Sequence, residues 1–367
     1  MRILLITNLY APYGRGGAEI VVAQEARELR DAGHDVAVLT TCPFSGFSSL
    51  LPAATTEDGI RVLRFYPLNI FWYRHDYKHS ALVRFFWHLI DTINIHAWFM
   101  TRRVIKELRP DEIRTHNLKG IGVASAYAVH ASARPWIHFL HDIQLITPSG
   151  LIYYHEQNAW KHQGFPVRAY RAICRTLIGS PAVVRAPSAW VWETHRVYAF
   201  FSKSRFEKVV WHAVTPILTE WHPHLPPRFL FVGQLAHHKG VMFLLDVLRE
   251  LPSGSCTVHI VGDGPLLSDV AARAREVPWV QVHGRLSLAR VKELLRDTDA
   301  LLFPSLAFEN SPTIIAEALR HNIPVIASRV GGVPEMVQDQ VNGWLATPGA
   351  ITEWKECVLD IIDRARD

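Results

Sequence analysis

The chain has 367 residues, 49% hydrophobic and 20% charged, with a net charge of +5. This is ordinary globular composition, long enough for two domains with full cores. The four cysteines (Cys42, Cys174, Cys256 and Cys357) lie far apart without a CxxC pair, which speaks against a zinc site or a disulfide framework and for a reduced, cytoplasmic setting.

In chain order, RILLITN (2–8) reads as a buried first strand and not a signal peptide, because its short apolar run stops at Pro and Gly. A glycine-rich turn, GRGGAE (14–19), opens a helix that runs to about Ala32. Gly33 stops that helix, and HDVAVLTT (34–41) is the next strand. Strand, turn, helix and strand form a βαβ unit and imply a parallel sheet. IRVLRFY (60–66) is a weaker strand, and 80–108 reads as one long helix. RPDEIRTHN, GIGVASAYAVHA and PWIHFLHD give strand, helix and strand again. Residues 150–178 look helical, AVVRAPS (182–188) is a strand with its turn, and KVVWHAV (208–214) closes the first half. TPILTEWHPHLPP (215–227), with four prolines and no period, reads as a linker.

The pattern then restarts: strand RFLFVGQL, helix KGVMFLLDVLREL, strand and turn CTVHIVGDGP, a helix to about Ala274, and strand WVQVHG. Helix LARVKELLRDT, strand ALLFPS, a helix near 312–320 and strand IPVIAS follow. Residues 228–350 therefore form a complete doubly wound α/β domain, followed by a terminal helix over 351–367. The first domain spans 1–214. Two Rossmann-like domains in tandem would place a ligand in a cleft between facing strand ends. No stretch reaches the roughly 20 apolar residues needed to span a bilayer.

Charge divides unevenly. Residues 1–215 hold 25 Lys and Arg against 16 Asp and Glu, while residues 216–367 hold 14 against 18. A basic first half suits an anionic partner, with nucleic acid, anionic lipid and a phosphorylated acceptor as the choices. No nucleic-acid-binding motif supports the first of these. The stretch 71–103 is aromatic and basic with few acids. It suits either a membrane interface or a core helix packed on the first sheet.

The most informative stretch is PSLAFENSPTIIAEALRHNIPVIASRVGGVPEMV (304–336). Ser311 is a good N-cap and Pro312 fits the first helical position. Glu309 then precedes the helix, and Glu317 lies about one and a half turns inside it. The free N–H groups of the first turn, backed by the helix dipole, favour an anion. Flanking carboxylates accept hydrogen bonds from sugar hydroxyls. Together they suit a sugar attached to a phosphate.

GGAE after the first strand, FVGQLAHHKG, VGDGP, HGRL and the block 304–336 together resemble glycosyltransferase family 4, which has the two-domain GT-B fold. The likeness covers nearly the whole chain. It implies retaining, metal-independent transfer of a sugar from a nucleotide-diphosphate sugar, without a cofactor, to a glycan or lipid-linked acceptor. The cysteine usage fits a cytoplasmic protein, and the stretch 71–103, if it meets lipid, would place it peripherally on the inner face of a membrane. The resemblance places Glu309 at the donor sugar, Glu317 at the ribose, and the amides of Asn310, Ser311, Thr313 and Ile314 at the phosphates. Lys239 is implied at the diphosphate, with Gln234 where the family carries an arginine. Arg285 is implied at the base or phosphate, and Gly16 and Gly17 where backbone approaches the ligand. The turn G-R-G-G-A-E and the strand ending VLTTC depart from a dinucleotide fingerprint. His141 is implied beside the reacting centre, and Glu19, His116, Asn117 and Asp142 on the acceptor side. A nucleotide-sugar epimerase or hydrolase on the same fold, or a non-catalytic nucleotide-sugar-binding protein, are the alternatives.

Overall fold

The computed structural model describes residues 1–14, 16–209, 217–218 and 221–366. The chain divides into two units. The first comprises Met1–Gly150 and Ala159–Val209, and the second comprises Leu151–Asn158 and Val210–Asp367.

Among the described residues unit 1 has eight strands: β1 (Arg2–Ile6), β2 (Asp35–Thr41), β3 (Ala53–Glu57), β4 (Ile60–Phe65), β5 (Glu112–Thr115), β6 (Trp136–Phe139), β7 (Val183–Ala186) and β8 (Arg205–Lys208). They lie in the order β3-β4-β2-β1-β5-β6-β7-β8, parallel except for the β3–β4 pair. Parallel neighbours need crossovers. These are built with α1 (Gly17–Asp31), α2 (Ala81–Thr92), α3 (Ile95–Leu108), α4 (Ala124–His130), α5 (Trp160–Gln163), α6 (Phe165–Ile178) and α7 (Ala189–Val197). The central strand β1 is buried through Leu4, Leu5 and Ile6, which is why its sequence is a continuous apolar run.

Unit 2 has β9 (Arg228–Val232), β10 (Thr257–Val261), β11 (Val280–Gly284), β12 (Ala300–Phe303), β13 (Val325–Ser328) and β14 (Gly343–Ala346). Its helices are α8 (Val241–Arg249), α9 (Leu267–Ala274), α10 (Leu288–Arg296), α11 (Thr313–Arg320) and α12 (Ile351–Arg364). Its all-parallel order, β11-β10-β9-β12-β13-β14, is the doubly wound arrangement. One face of the sheet packs Phe229, Val258, Leu302 and Ile326 against α8 and α12, with Trp354 fully buried. The other packs Leu230, Leu301 and Val325 against Ile315 and Leu319 of α11.

Four features differ from the sequence expectation. The long helix over 80–108 is two helices, because the Asn94 side chain accepts the Ala97 N–H at 2.8 Å and caps α3. Edge strand β3 was not foreseen, since AATTE is almost wholly exposed and carries no apolar period. Residues 151–158 are not helical. They run beside the loop after β12, with Tyr154 N–H donating to Leu306 O and Phe308 N–H to Ile152 O, both at 3.0 Å. That segment therefore belongs to unit 2. Of the strand expected over 208–214 and the linker over 215–227, residues 210–216, 219 and 220 lie outside the described residues. Lys208 and Val209 pair with Ala186 of β7 in unit 1, while the described part of the linker packs on unit 2, where Ile217 N–H donates to Val341 O at 2.9 Å and Trp221 Nε1 to Asp299 O at 3.1 Å.

The aromatic stretch 71–103 divides into buried and exposed residues. Phe71, Trp72 and Trp87 are buried. Leu82, Phe85, Phe86, Leu89, Ile90 and Ile93 are exposed, on the i, i+3, i+4, i+7, i+8, i+11 spacing of one helix face. Ile95 and Phe99 of α3 are exposed as well, at 70% and 58%. Among the described residues no helix is long and apolar enough to cross a membrane.

Candidate active site

In unit 2 the strand order reverses between β9 and β12, so the loops leaving their C-terminal ends diverge and open a crevice there. Lys239 closes a short 3₁₀ turn, His237–Lys239, after β9. Glu309 sits in the loop after β12. Lys239 Nζ lies 2.6 Å from Glu309 Oε1, with the two side chains 24% and 18% exposed. Ser305 Oγ is 3.0 Å from the same oxygen. Ser305 also lies 3.1 Å from His238 O, and Leu306 N–H donates to that carbonyl at 2.9 Å, so the two loops are clamped together.

Two glycines make this approach feasible. Gly240 has φ +71°, and a Cβ there would stand 1.9 Å from Pro304 O. Gly331 has φ +57°, and its Cβ would stand 2.0 Å from Glu309 O, the carbonyl that accepts Gly332 N–H at 2.8 Å. Side chains rarely adopt that backbone region, and the backbone on the other side cannot give way.

Helix α11 begins at Thr313, one residue later than expected, with Pro312 as its N-cap. Ser311 is not the cap, because its hydroxyl points to Met336 Sδ at 3.4 Å. Ile315 and Ala316 N–H groups donate to Pro312 O at 3.1 and 3.3 Å, leaving the Thr313 and Ile314 amides ahead of the first helical bonds. Those amides form the positive end of the helix. Asn310 is buried, and Glu317 is half-buried on the second turn. Gln234 is exposed on the loop after β9. Arg285 follows the edge strand β11, is exposed, and makes no hydrogen bond or ion pair with the Lys239–Glu309 pair.

Unit 1 reverses between β1 and β5, and its polar residues collect at the ends of β5 and β6. Gly16 is the N-cap of α1 and Gly17 its first residue. Glu19 folds back so that Gly16 N–H donates to Glu19 Oε2 at 2.5 Å. Its carboxylate is therefore engaged in the helix cap. Asn117 O accepts the Asn8 N–H at 3.0 Å. His141 is not paired with Asp142. His141 Nε2 lies 3.0 Å from His116 Nδ1, while Asp142 accepts the Gln144 N–H at 2.8 Å in a turn. His116, Asn117, Lys119, His141, Asp142 and Tyr170 line one small pocket.

Burial dominates the proton affinities there. It pushes His141 well below the ordinary imidazole range, helped by His116 and His138, and takes His138 down to about 3. Burial also raises Asp142 to about 6, against the opposing Gln144 amide and Lys119, and lowers Lys119. The Lys119 ammonium lies 5.5 Å from the Tyr73 ring centroid, and that side chain makes no hydrogen bond or ion pair among the described residues. Among those residues no group of three His, Cys, Asp or Glu side chains could hold a metal ion.

Sequence reading missed two residues, Ser305 at the end of ALLFPS and Glu25 of α1. The side chain of Glu25 is only 15% exposed and meets Arg114 at 2.6 Å, a partner 89 residues away.

Two Rossmann-like sheets in one chain, the second doubly wound with charged side chains gathered at its switch point, define the GT-B class of fold. The model of the Glycosyl transferase 4-like domain matches residues 16–207, and that of Glycosyl transferases group 1 matches residues 226–364. The chain thus belongs to the 4-like, group 1 glycosyltransferases, and it is an enzyme of that kind. The Bacillus subtilis protein named as the teichuronic acid biosynthesis glycosyltransferase TuaC is 25% identical over 361 residues, 92% of this chain and 83% of that protein. Sucrose-phosphate synthase from Thermosynechococcus elongatus superposes with a TM-score of 0.70 at 17% identity, covering 100% of this chain and 91% of the other. Anabaena HepE in complex with UDP gives 0.67 at 19% identity, with 99% and 90% covered. At these identities the structures establish the fold alone.

Proposed function

We propose that the protein moves a sugar from a nucleotide-diphosphate sugar, bound by unit 2, to a glycan or lipid-linked acceptor bound by unit 1, in the synthesis of an envelope polysaccharide. Transfer proceeds with retention at the anomeric carbon and needs no metal. The observation that carries this reading is the Lys239–Glu309 pair at the switch point of unit 2, next to the amides that open α11. Lys239 and those amides meet the diphosphate and stabilise the charge that grows as the nucleotide leaves. Glu309 trades its contact with Lys239 for hydroxyls of the transferred sugar, Glu317 takes the ribose, and His141 serves the reacting end of the sugar. Gln234 hydrogen-bonds phosphate but adds no charge, which leaves Lys239 as the cation of that loop. The name of TuaC and the UDP held by HepE support an envelope glycan and a uridine donor.

A thermal-shift series with UDP-, ADP- and GDP-sugars tests the donor. One of them should raise the midpoint, because a ligand at 100 times its Kd stabilises the folded state by about 2.7 kcal/mol. Transfer to an added acceptor then separates a transferase from an epimerase, a hydrolase or a binding protein. If no nucleotide-sugar moves the midpoint, the reading fails.

The same proposal includes an anionic membrane as partner of unit 1. The solvent-facing apolar stripe of α2 continues into Ile95 and Phe99, and α3 adds exposed Arg102, Arg103 and Lys106. Apolar and basic groups together are what an anionic bilayer surface recruits. The full chain should float with phosphatidylglycerol-containing vesicles and not with pure phosphatidylcholine, and Phe85→Asp with Phe86→Asp should abolish flotation. Failure to float with anionic vesicles would remove the membrane from this picture.

A further inference from the structure

Lys119 lies in the loop between β5 and α4 and is only 8% exposed, yet its ammonium makes no hydrogen bond or ion pair among the described residues. A buried ammonium without such partners is costly, and its N–H donors stay unspent. Its place 5.5 Å from the Tyr73 ring centroid engages the charge but none of the donors. The loop is tied down on both sides of it. Asn8 Nδ2 donates to Lys119 O at 3.0 Å, and Gly120 N–H donates to Asp91 Oδ2 at 2.9 Å. Gly120 has φ +97°, and a Cβ there would stand 2.8 Å from Tyr73 Cβ.

Lys119 lines the pocket of unit 1 together with Asn117, Asp142 and Gln144. The side-chain amides of Asn117 and Gln144 also make no hydrogen bond among the described residues. Asp142 Oδ1 accepts the Gln144 N–H at 2.8 Å, and its Oδ2 has no hydrogen-bond partner there. Burial lowers Lys119, and Asp76, Asp142 and Asp91 oppose it without touching it. Asp76 is held by Arg84 at 3.0 Å and Asp91 by the Gly120 amide, which leaves Asp142 as the acid of the pocket. One cation and one carboxylate therefore face the same space, each with atoms to spare. An oxyanion placed there would meet Lys119 but be repelled by Asp142, and an ammonium would meet the reverse. A hydroxyl suits both, because its oxygen accepts and its O–H donates.

We propose that this pocket binds uncharged sugar hydroxyls of the acceptor, with Lys119 Nζ donating to one hydroxyl oxygen and Asp142 Oδ2 accepting from the same or the neighbouring hydroxyl. The proposal rests on the reading of unit 1 as the acceptor side, and within it Lys119 is a binding residue that selects a neutral sugar. The amides of Asn117 and Gln144 supply further donors and acceptors around that sugar. The excess of positive charge in the first half is then no guide to the group bound here, since the pocket itself carries both signs.

The ¹³Cε signal of Lys119 in the ¹³C-lysine-labelled full chain, assigned with Lys119→Met, reads this directly. Methyl α-glucoside, methyl α-galactoside, methyl α-mannoside and N-acetylglucosamine are the neutral probes, and at least one should move that signal. Glucuronate and glucose 6-phosphate should move it less at equal concentration. In transfer to the neutral sugar that binds, Lys119→Met and Asp142→Asn should each raise the acceptor KM about tenfold or more. The donor KM and the nucleotide-sugar-induced midpoint shift should stay as in the wild type. Lys119→Met should also keep an unfolding midpoint at or above that of the wild type, because it removes a buried charge without a contact partner. No response of Lys119 to any neutral probe, or a larger response to either anion, would overturn the proposal. So would a Lys119→Met midpoint several degrees below the wild type, which would make Lys119 a structural cation over Tyr73. A wild-type chain whose midpoint no nucleotide-sugar moves would instead refute the donor reading, while the titration of Lys119 decides the pocket independently.

Discussion

Lys239→Ala and Glu309→Ala should each lower kcat/KM at least about tenfold, or about 1.4 kcal/mol of barrier, and leave the unfolding midpoint nearly unchanged. The asymmetry follows from exposure. Both side chains reach water, at 24% and 18%, so either can be resolvated when its partner is removed, and such pairs contribute about 0–1 kcal/mol to stability. Against a nucleotide diphosphate the balance differs. Without Lys239, the Glu309 carboxylate faces the phosphates with no cation between them, so binding loses an attraction and gains a repulsion. The double variant should therefore fall by less than the sum of the single losses. Values of kcat/KM within twofold of wild type for both single variants would refute the assignment of this pair.

Gly331→Ala should destabilise unit 2 and disable its site together. The added carbon would stand 2.0 Å from Glu309 O and 3.0 Å from Glu309 N, so it pushes directly on the residue the site depends on. Gly254→Ala is the matched control. Its φ of +70° is similar, but nothing lies within 4 Å of the added carbon. The control should cost about 1 kcal/mol, the strain of a left-handed alanine. Gly331→Ala should cost at least about twice that and abolish the nucleotide-sugar-induced midpoint shift. Equal midpoints for the two variants would mean that the loop yields and that Gly331 does not hold Glu309.

The second half was the more legible because its strands are buried on both faces. FLFV, HIV, ALLF and VIAS are apolar runs closed by glycine, proline or polar residues, and they need no partner to be recognised. The block 304–336 likewise marked Glu309. The sequence could not show that Lys239 and Glu309 touch, since that depends on β9 lying next to β12 with two strands and three helices intervening in the chain. Glu25 was hidden for the same reason, as its burial is set by Arg114 and His116, far along the chain. Ser311 was misread because Pro312, which has no N–H and an extended ψ of 120°, takes the cap position itself.

The excursion of residues 151–158 into unit 2 makes the two halves inseparable by a single cut. A donor module excised at residue 215, or exchanged with that of a relative to change sugar preference, would leave Ile152 and Tyr154 behind. The 304–309 loop would lose its two backbone bonds to Ile152 and Tyr154. A working chimera has to carry this octapeptide along with its new donor half, and a parental octapeptide beside a foreign loop should bind nucleotide-sugar poorly even when both halves fold.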